Sequence, residues 1–264
     1  MLVMDFLQNI PYYWTKQLDP RVANLLLVGS SYQVPLIIFA YLYFVLSCGP
    51  RFMKNRSPYS LRIFMKLYNI VQVLGNAWVI YEFIDAGLFS LPLVCPRIDY
   101  SYNYIPMRIT RCIWHFFLLK VLDYVDTFVF VLRKKDNQVS PLHLYHHVST
   151  LALTWISVRY YAVTGMGVTN IINSFIHTIM YTYYFLAAWG PSVKRAIEPM
   201  KRCITMLQMI QLMLLILYAL QYIVLDCTDG NNIIVITFIT NAVINLYMFR
   251  KFYRKTYKNG EKIQ

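Results

Sequence analysis

The stretch CIWHFFLLKVLDYVDTFVFVL, residues 112–132, is apolar along most of its length, yet it holds Lys120, Asp123 and Asp126 in its second half. As a helix rising about 1.5 Å per residue, a stretch of this length spans about 30 Å, the thickness of bilayer hydrocarbon. Charges at that depth are expensive, and they are retained where they line a functional interior. The stretch therefore reads as a membrane helix with chemistry built into it.

The rest of the chain supports a membrane fold. Of its 264 residues 58% are apolar and only 14% charged, against about 45–50% and about 25% for soluble domains. Mean hydropathy is +0.44. Comparable apolar runs at 32–48, 67–89, 143–160, 169–188, 204–225 and 232–250 join 112–132 to predict seven spans in an all-α integral membrane protein. These use nearly the whole chain, so residues 1–264 read as one domain. A polar segment of about 1–30 precedes the first span, which makes a cleavable signal peptide a poor fit. A short basic tail, about 251–264, follows the last.

The net charge of +13 is explained by its distribution and does not point to nucleic acid. With loops assigned alternately to two sides, eighteen of the 25 Lys and Arg residues fall on one side and six on the other, and Lys120 lies inside a span. The positive-inside rule puts the richer side in the cytosol, which makes the N-terminus lumenal and the C-terminus cytosolic. On that topology Cys95 and Cys227 share the oxidising lumenal side, the one disulfide pairing it favours. Membrane lipid is an obligatory partner.

Polar groups recur at helical spacing on four consecutive spans. Lys120, Asp123, Asp126 and Thr127 share a face of the third. The fourth opens with His143, His146 and His147, after a Ser140-Pro141 start signal. Asn173, His177, Met180, Tyr181 and Tyr184 form a stripe on the fifth, with Tyr183 off it, and Asn173 stands one turn from His177 and able to orient its ring. Thr205, Gln208 and Gln211 form an uncharged stripe on the sixth. The histidines suit either metal ligation or acid/base and nucleophilic chemistry. Measured from the cytosolic basic residues, Asp126 and Gln208 lie about 10 Å deep, so the polar set lines a pocket open to the cytosol above an apolar interior. An anionic head with a long hydrocarbon tail fits such a pocket.

These motifs resemble those of the fatty acid elongases, the condensing enzymes of microsomal chain extension. The family pattern Lys-x-x-Glu-x-x-Asp-Thr is similar to Lys120, Asp123, Asp126 and Thr127, with aspartate in place of the usual glutamate. His-x-x-His-His is matched by His143, His146 and His147, Asn-x-x-x-His-x-x-Met-Tyr-x-Tyr-Tyr by Asn173, His177, Met180, Tyr181, Tyr183 and Tyr184, and Thr-x-x-Gln-x-x-Gln by Thr205, Gln208 and Gln211. The resemblance implies seven helices, six of them in an inverted barrel around an acyl tunnel closed on the lumenal side, in the endoplasmic reticulum membrane. The implied reaction joins acyl-CoA to malonyl-CoA, with release of CO₂ and CoA; both are substrates, and no cofactor or metal is implied. His146 is then expected to carry the acyl group and His177 to take part in condensation. His143 and His147 would position the thioester or move protons, with Asp123 and Asp126 beside them, and Asn173, Gln208 and Lys120 would donate to developing oxyanions. Arg133, Lys135, Gln138, Tyr183, Lys201, Thr205 and Lys262 are expected around the CoA moiety. A homodimer and contacts with other elongation-cycle enzymes are family-level expectations.

Two other classes share parts of this pattern. Membrane di-iron desaturases use His-x-x-His-His but need about eight histidines in several boxes, and this chain has five. A seven-helix receptor or transporter would place its ligand groups toward the lumenal half.

Overall fold

A computed structural model describes residues 18–96, 99–162, 164–227 and 232–258. The described residues are helical with no strand. The principal helices are α1 (Gln33–Met53), α2 (Arg62–Asp85), α3 (Tyr104–Leu122), α4 (Tyr124–Leu132), α5 (Pro141–Tyr160), α6 (Thr164–Ala187), α7 (Pro191–Ile197), α8 (Met200–Val224) and α9 (Ile233–Tyr253).

Among the described residues, four helical stretches are long and apolar enough to cross a membrane: α1, Arg62–Ser90 containing α2, α8, and Ile233–Tyr257 containing α9. Their outward faces carry large exposed apolar side chains, among them Phe39, Ile63, Leu74, Leu217 and Ile233. That is a surface suited to lipid rather than water. The polar motifs of the site lie on α3, α4, α5 and α6, with a fourth set on α8, and they dilute the apolar character of the helices between α2 and α8.

Local sequence accounts for the breaks. In α1 the backbone widens into a π turn over Phe44–Cys48, just before Pro50, which has no N–H to offer the preceding turn. Gly49 lets this turn close onto Val131 of α4, where a β-carbon would collide. At the start of α5, Ser140 Oγ accepts from His143 N at 3.2 Å, with Pro141 in the first turn. Between Gly190 and Pro199 the chain forms only the seven-residue α7, which has no buried residue, in keeping with a broken surface helix.

Around the bundle, α2 packs on α6, α6 on α8, α8 on α9, α9 on α5, α5 on α3 and α3 on α2, while α3 also meets α6 across this circuit. Helix α1 stays outside it and rests on α4 and α5.

Basic loops gather at one end of the bundle: Tyr59 N donates to Leu132 O, and Lys66 sits over the Trp189 ring. The opposite end is closed by the segment before α1. There the Asp19–Arg21 ion pair (2.6 Å) is completely buried, and Arg21 also donates to the carbonyls of Asp99 and Ala162. Trp114 and Trp155 donate to the carbonyls of Leu26 and Leu27, each at 3.1 Å, and Arg159 donates to Val28 O at 2.5 Å. Cys95 and Cys227 form a disulfide with Cα atoms 5.3 Å apart.

Candidate active site

The stretch 112–132 is not one uninterrupted helix. It is interrupted at Asp123, between α3 and α4. Asp123 N still donates to Leu119 O at 2.9 Å, but Asp126 N reaches only to Asp123 O at 3.2 Å, a tighter three-residue bond. The tightened turn splits the four motif residues between two directions, so the single shared face expected from their spacing is not kept. Asp123 and Asp126 turn toward α6, where Tyr181 Oη lies 3.2 Å from Asp123 Oδ1 and 2.8 Å from Asp126 Oδ2. Thr127 turns toward α1 and α5, where its Oγ1 lies 2.9 Å from Tyr41 Oη and 2.8 Å from His143 Nε2.

Lys120 is the hub. Its Nζ lies 2.9 Å from Asp123 Oδ2, 3.1 Å from Asn173 Oδ1 and 3.4 Å from His177 Nδ1. A lysine ammonium has three donors and no acceptor, so these partners use its full capacity. They also require His177 Nδ1 to accept, which leaves the imidazole proton on Nε2. Sequence spacing pairs Asn173 directly with His177, but Lys120 stands between them. Its ammonium is therefore a clamp joining α3 to α6, with no donor left over for an oxyanion in this conformation.

The histidine box packs ring against ring. The centroids of His143 and His147 are 4.0 Å apart, and those of His146 and His147 5.8 Å. Phe249 of α9 meets His146 edge-on at 6.2 Å. Lys120, Asp123, His146, His147 and Thr150 line one internal cavity of about 10 Å³, roughly the room of a single water. Substrate entry therefore requires side chains or helices to move. Among the described residues, no three His, Cys, Asp or Glu side chains converge as a metal-holding group.

The remaining candidates lie elsewhere. Gln208 Nε2 contacts Met180 Sδ at 3.4 Å, and Thr205 Oγ1 donates to Lys201 O at 3.0 Å and lies 3.3 Å from Tyr257 Oη. Both belong to the α6–α8–α9 contact and not to the cavity lining. Tyr183, off the stripe, is buried with Tyr68, Met180, Tyr181 and Ile204, whereas Tyr184, on it, is 39% exposed. Arg133 is half-buried and reaches Met65. Lys135, Gln138 and Lys201 are exposed at the basic end. Lys262 lies outside the described residues.

A polar set on α2 escaped the sequence reading. Gln72 Nε2 donates to Asp123 Oδ1 at 2.8 Å and lies 2.7 Å from Tyr68 Oη. Asn76 Nδ2 donates to Gln72 O at 2.8 Å. Gln72 and Asn76 are fully buried. Their signal was the recurrence of Tyr68, Gln72 and Asn76 every four residues within an apolar span.

The model of the GNS1/SUR4 family matches residues 26–264. A very long chain fatty acid elongase of Aedes aegypti is 34% identical over 97% of this chain and 72% of its own length. Very long chain fatty acid elongase 1 of Mus musculus is 36% identical over 98% of this chain and 94% of its own. Very long chain fatty acid elongase 4 of Homo sapiens is 37% identical over 95% of this chain and 80% of its own. Likeness of this extent, over nearly the whole chain, makes the chain a member of the GNS1/SUR4 family, the very long chain fatty acid elongases.

Proposed function

We propose that the protein is a 3-oxoacyl-CoA synthase of the endoplasmic reticulum membrane that condenses a long-chain acyl-CoA with malonyl-CoA. The observation that carries the reading is the single cavity shared by Lys120, Asp123, His146 and His147, with Asn173 and His177 tied to the same ammonium. In the first step an imidazole nitrogen of His146 attacks the thioester carbonyl. The carbon–sulfur bond breaks, the imidazole proton passes to the departing sulfur, and CoA leaves an acyl-imidazole. Malonyl-CoA then loses CO₂, its enolate carbon attacks the acyl carbon, and the carbon–nitrogen bond to His146 breaks. The departing imidazole nitrogen takes a proton from water, which restores neutral His146. The product is a 3-oxoacyl-CoA two carbons longer. His177, held beside Asp123 with its proton on Nε2, supports the second step.

Seven crossings, with a lumenal N-terminus and a cytosolic C-terminus, fit the collection of basic loops at one end of the bundle. The circuit of six helices is the wall of an acyl tunnel, and the segment before α1 is its closed end. Arg133, Lys135 and Lys201, at the basic end, serve the CoA phosphates together with Lys262, and Gln138 contacts the CoA moiety. A homodimer and association with the other elongation-cycle enzymes complete the reading.

Incubation of the purified protein with acyl-CoA alone tests the chemistry. Free CoA is expected in a burst, with acyl mass retained on α5 and abolished by His146→Ala. Chelators are expected to leave incorporation of labelled malonyl-CoA intact. If chelation abolishes elongation and iron restores it, the histidines are ligands and the covalent route is wrong.

A further inference from the structure

Two stacked phenols stand behind the histidine box. Tyr41 of α1 and Tyr124 of α4 have ring centroids 3.9 Å apart, and both are buried, at 1% and 3% exposure. Each leads to a different histidine. Tyr41 Oη lies 2.9 Å from Thr127 Oγ1, which lies 2.8 Å from His143 Nε2. The Tyr124 ring lies 6.1 Å from the His147 ring, centroid to centroid. Among the described residues, Tyr124 Oη and His147 Nδ1 are both buried side-chain atoms without a hydrogen-bond partner. Buried polar groups of this kind are normally satisfied, often by one ordered water. Here a donor hydroxyl and a ring nitrogen on adjoining side chains are complementary.

A neutral imidazole has one donor nitrogen and one acceptor, and the partner of one nitrogen decides where the proton sits. We propose that Tyr41 and Tyr124 are positioning residues that fix opposite tautomers in His143 and His147. Tyr41 donates to Thr127, and Thr127 donates to His143 Nε2, so the His143 proton is on Nδ1. Tyr124 donates through one water to His147 Nδ1, so the His147 proton is on Nε2. His147 then presents an N–H donor to the cavity that it lines with His146. That assigns it the thioester carbonyl oxygen and not proton abstraction. The arrangement also gives α1, outside the circuit of helices, a direct connection to the site.

The kinetic consequence rests on the elongase reading, but the tautomers do not, so the two are tested separately. In the unliganded protein in detergent, ¹⁵N-histidine NMR is expected to show His147 as the Nε2–H form, identified by loss of its signals in His147→Gln. Tyr124→Phe keeps the stacked ring and removes only the hydroxyl. It is expected to move His147 toward a mixture of tautomers, lower kcat by about tenfold or more and leave the acyl-CoA KM within about twofold. Tyr41→Phe is expected to shift His143 in the same spectrum and to leave His147 unchanged. An Nδ1–H form of His147 in the wild type, or an unaltered His147 tautomer in Tyr124→Phe, overturns the proposal whatever the activity. If the tautomers behave as stated while the wild type extends no acyl-CoA, the elongase chemistry fails and the inference stands.

Discussion

Lys120 Nζ and Asp123 Oδ2 stand 2.9 Å apart, one turn from each other on the chain, with side chains only 2% and 7% exposed. Two opposite charges in so dry a place depend on each other. Removing one leaves the other desolvated and unpaired, whereas replacing both by apolar groups is far less harmful.

Asp123→Asn is therefore expected to lower stability by roughly 3 kcal/mol and to impair elongation, because Lys120 loses the partner that holds it toward Asn173 and His177. Asp123→Glu restores the residue usual in the family and is expected to retain activity. Thermal unfolding in detergent and malonyl-CoA incorporation in microsomes are the measurements. Full activity in the Asn variant would show that the ion pair only docks helices.

The Cys95–Cys227 disulfide closes a loop across a separation of 132 residues. Neither thiol should react with a maleimide in denatured, unreduced protein, and both should react after reductant. Replacing the pair by serine is expected to lower stability by about 2–4 kcal/mol. Labelling without reductant would show that the bridge does not form in the membrane.

Asn55-Arg56-Ser57 is the one glycosylation sequon in the sequence, and it is exposed between α1 and α2 at the basic end. If that end faces the cytosol, as proposed, glycosidase treatment should leave electrophoretic mobility unchanged. A shift would invert the orientation.

The charged and imidazole groups of α3 to α6 were legible in the sequence because ionisable residues at helical spacing stand out against an apolar background. Gln72 and Asn76 did not stand out in the same way. Neutral amides in membrane helices commonly just join neighbouring helices, and only the position of Asp123 against Gln72 gives them a role in the site. Tyr41 and Tyr124 were hidden among 23 tyrosines, since nothing in spacing tells a buried phenol from an interfacial one. The interruption at Asp123 carried no proline or glycine signal. It follows from a carboxylate held by Lys120, Gln72 and Tyr181, partners on three helices that no local pattern reveals. The distance of Gln208 and Thr205 from the cavity was equally invisible, because motif order specifies a helix but not which neighbour that helix faces.

The segment before α1 also sets an order of events during synthesis. Its carbonyls at Leu26, Leu27 and Val28 are satisfied by Trp114, Trp155 and Arg159, which lie 88, 128 and 131 residues further along the chain. At ribosomal speed the last of these emerges on the order of ten seconds later. Until then those three carbonyls lack their side-chain partners, although the segment's own turns, such as Leu25 N to Val22 O and Val28 N to Leu25 O, can already form. Docking of α5 is thus the step that completes the N-terminal end, so a chain truncated before Trp155 should leave this segment open to protease even though every residue of the segment is present.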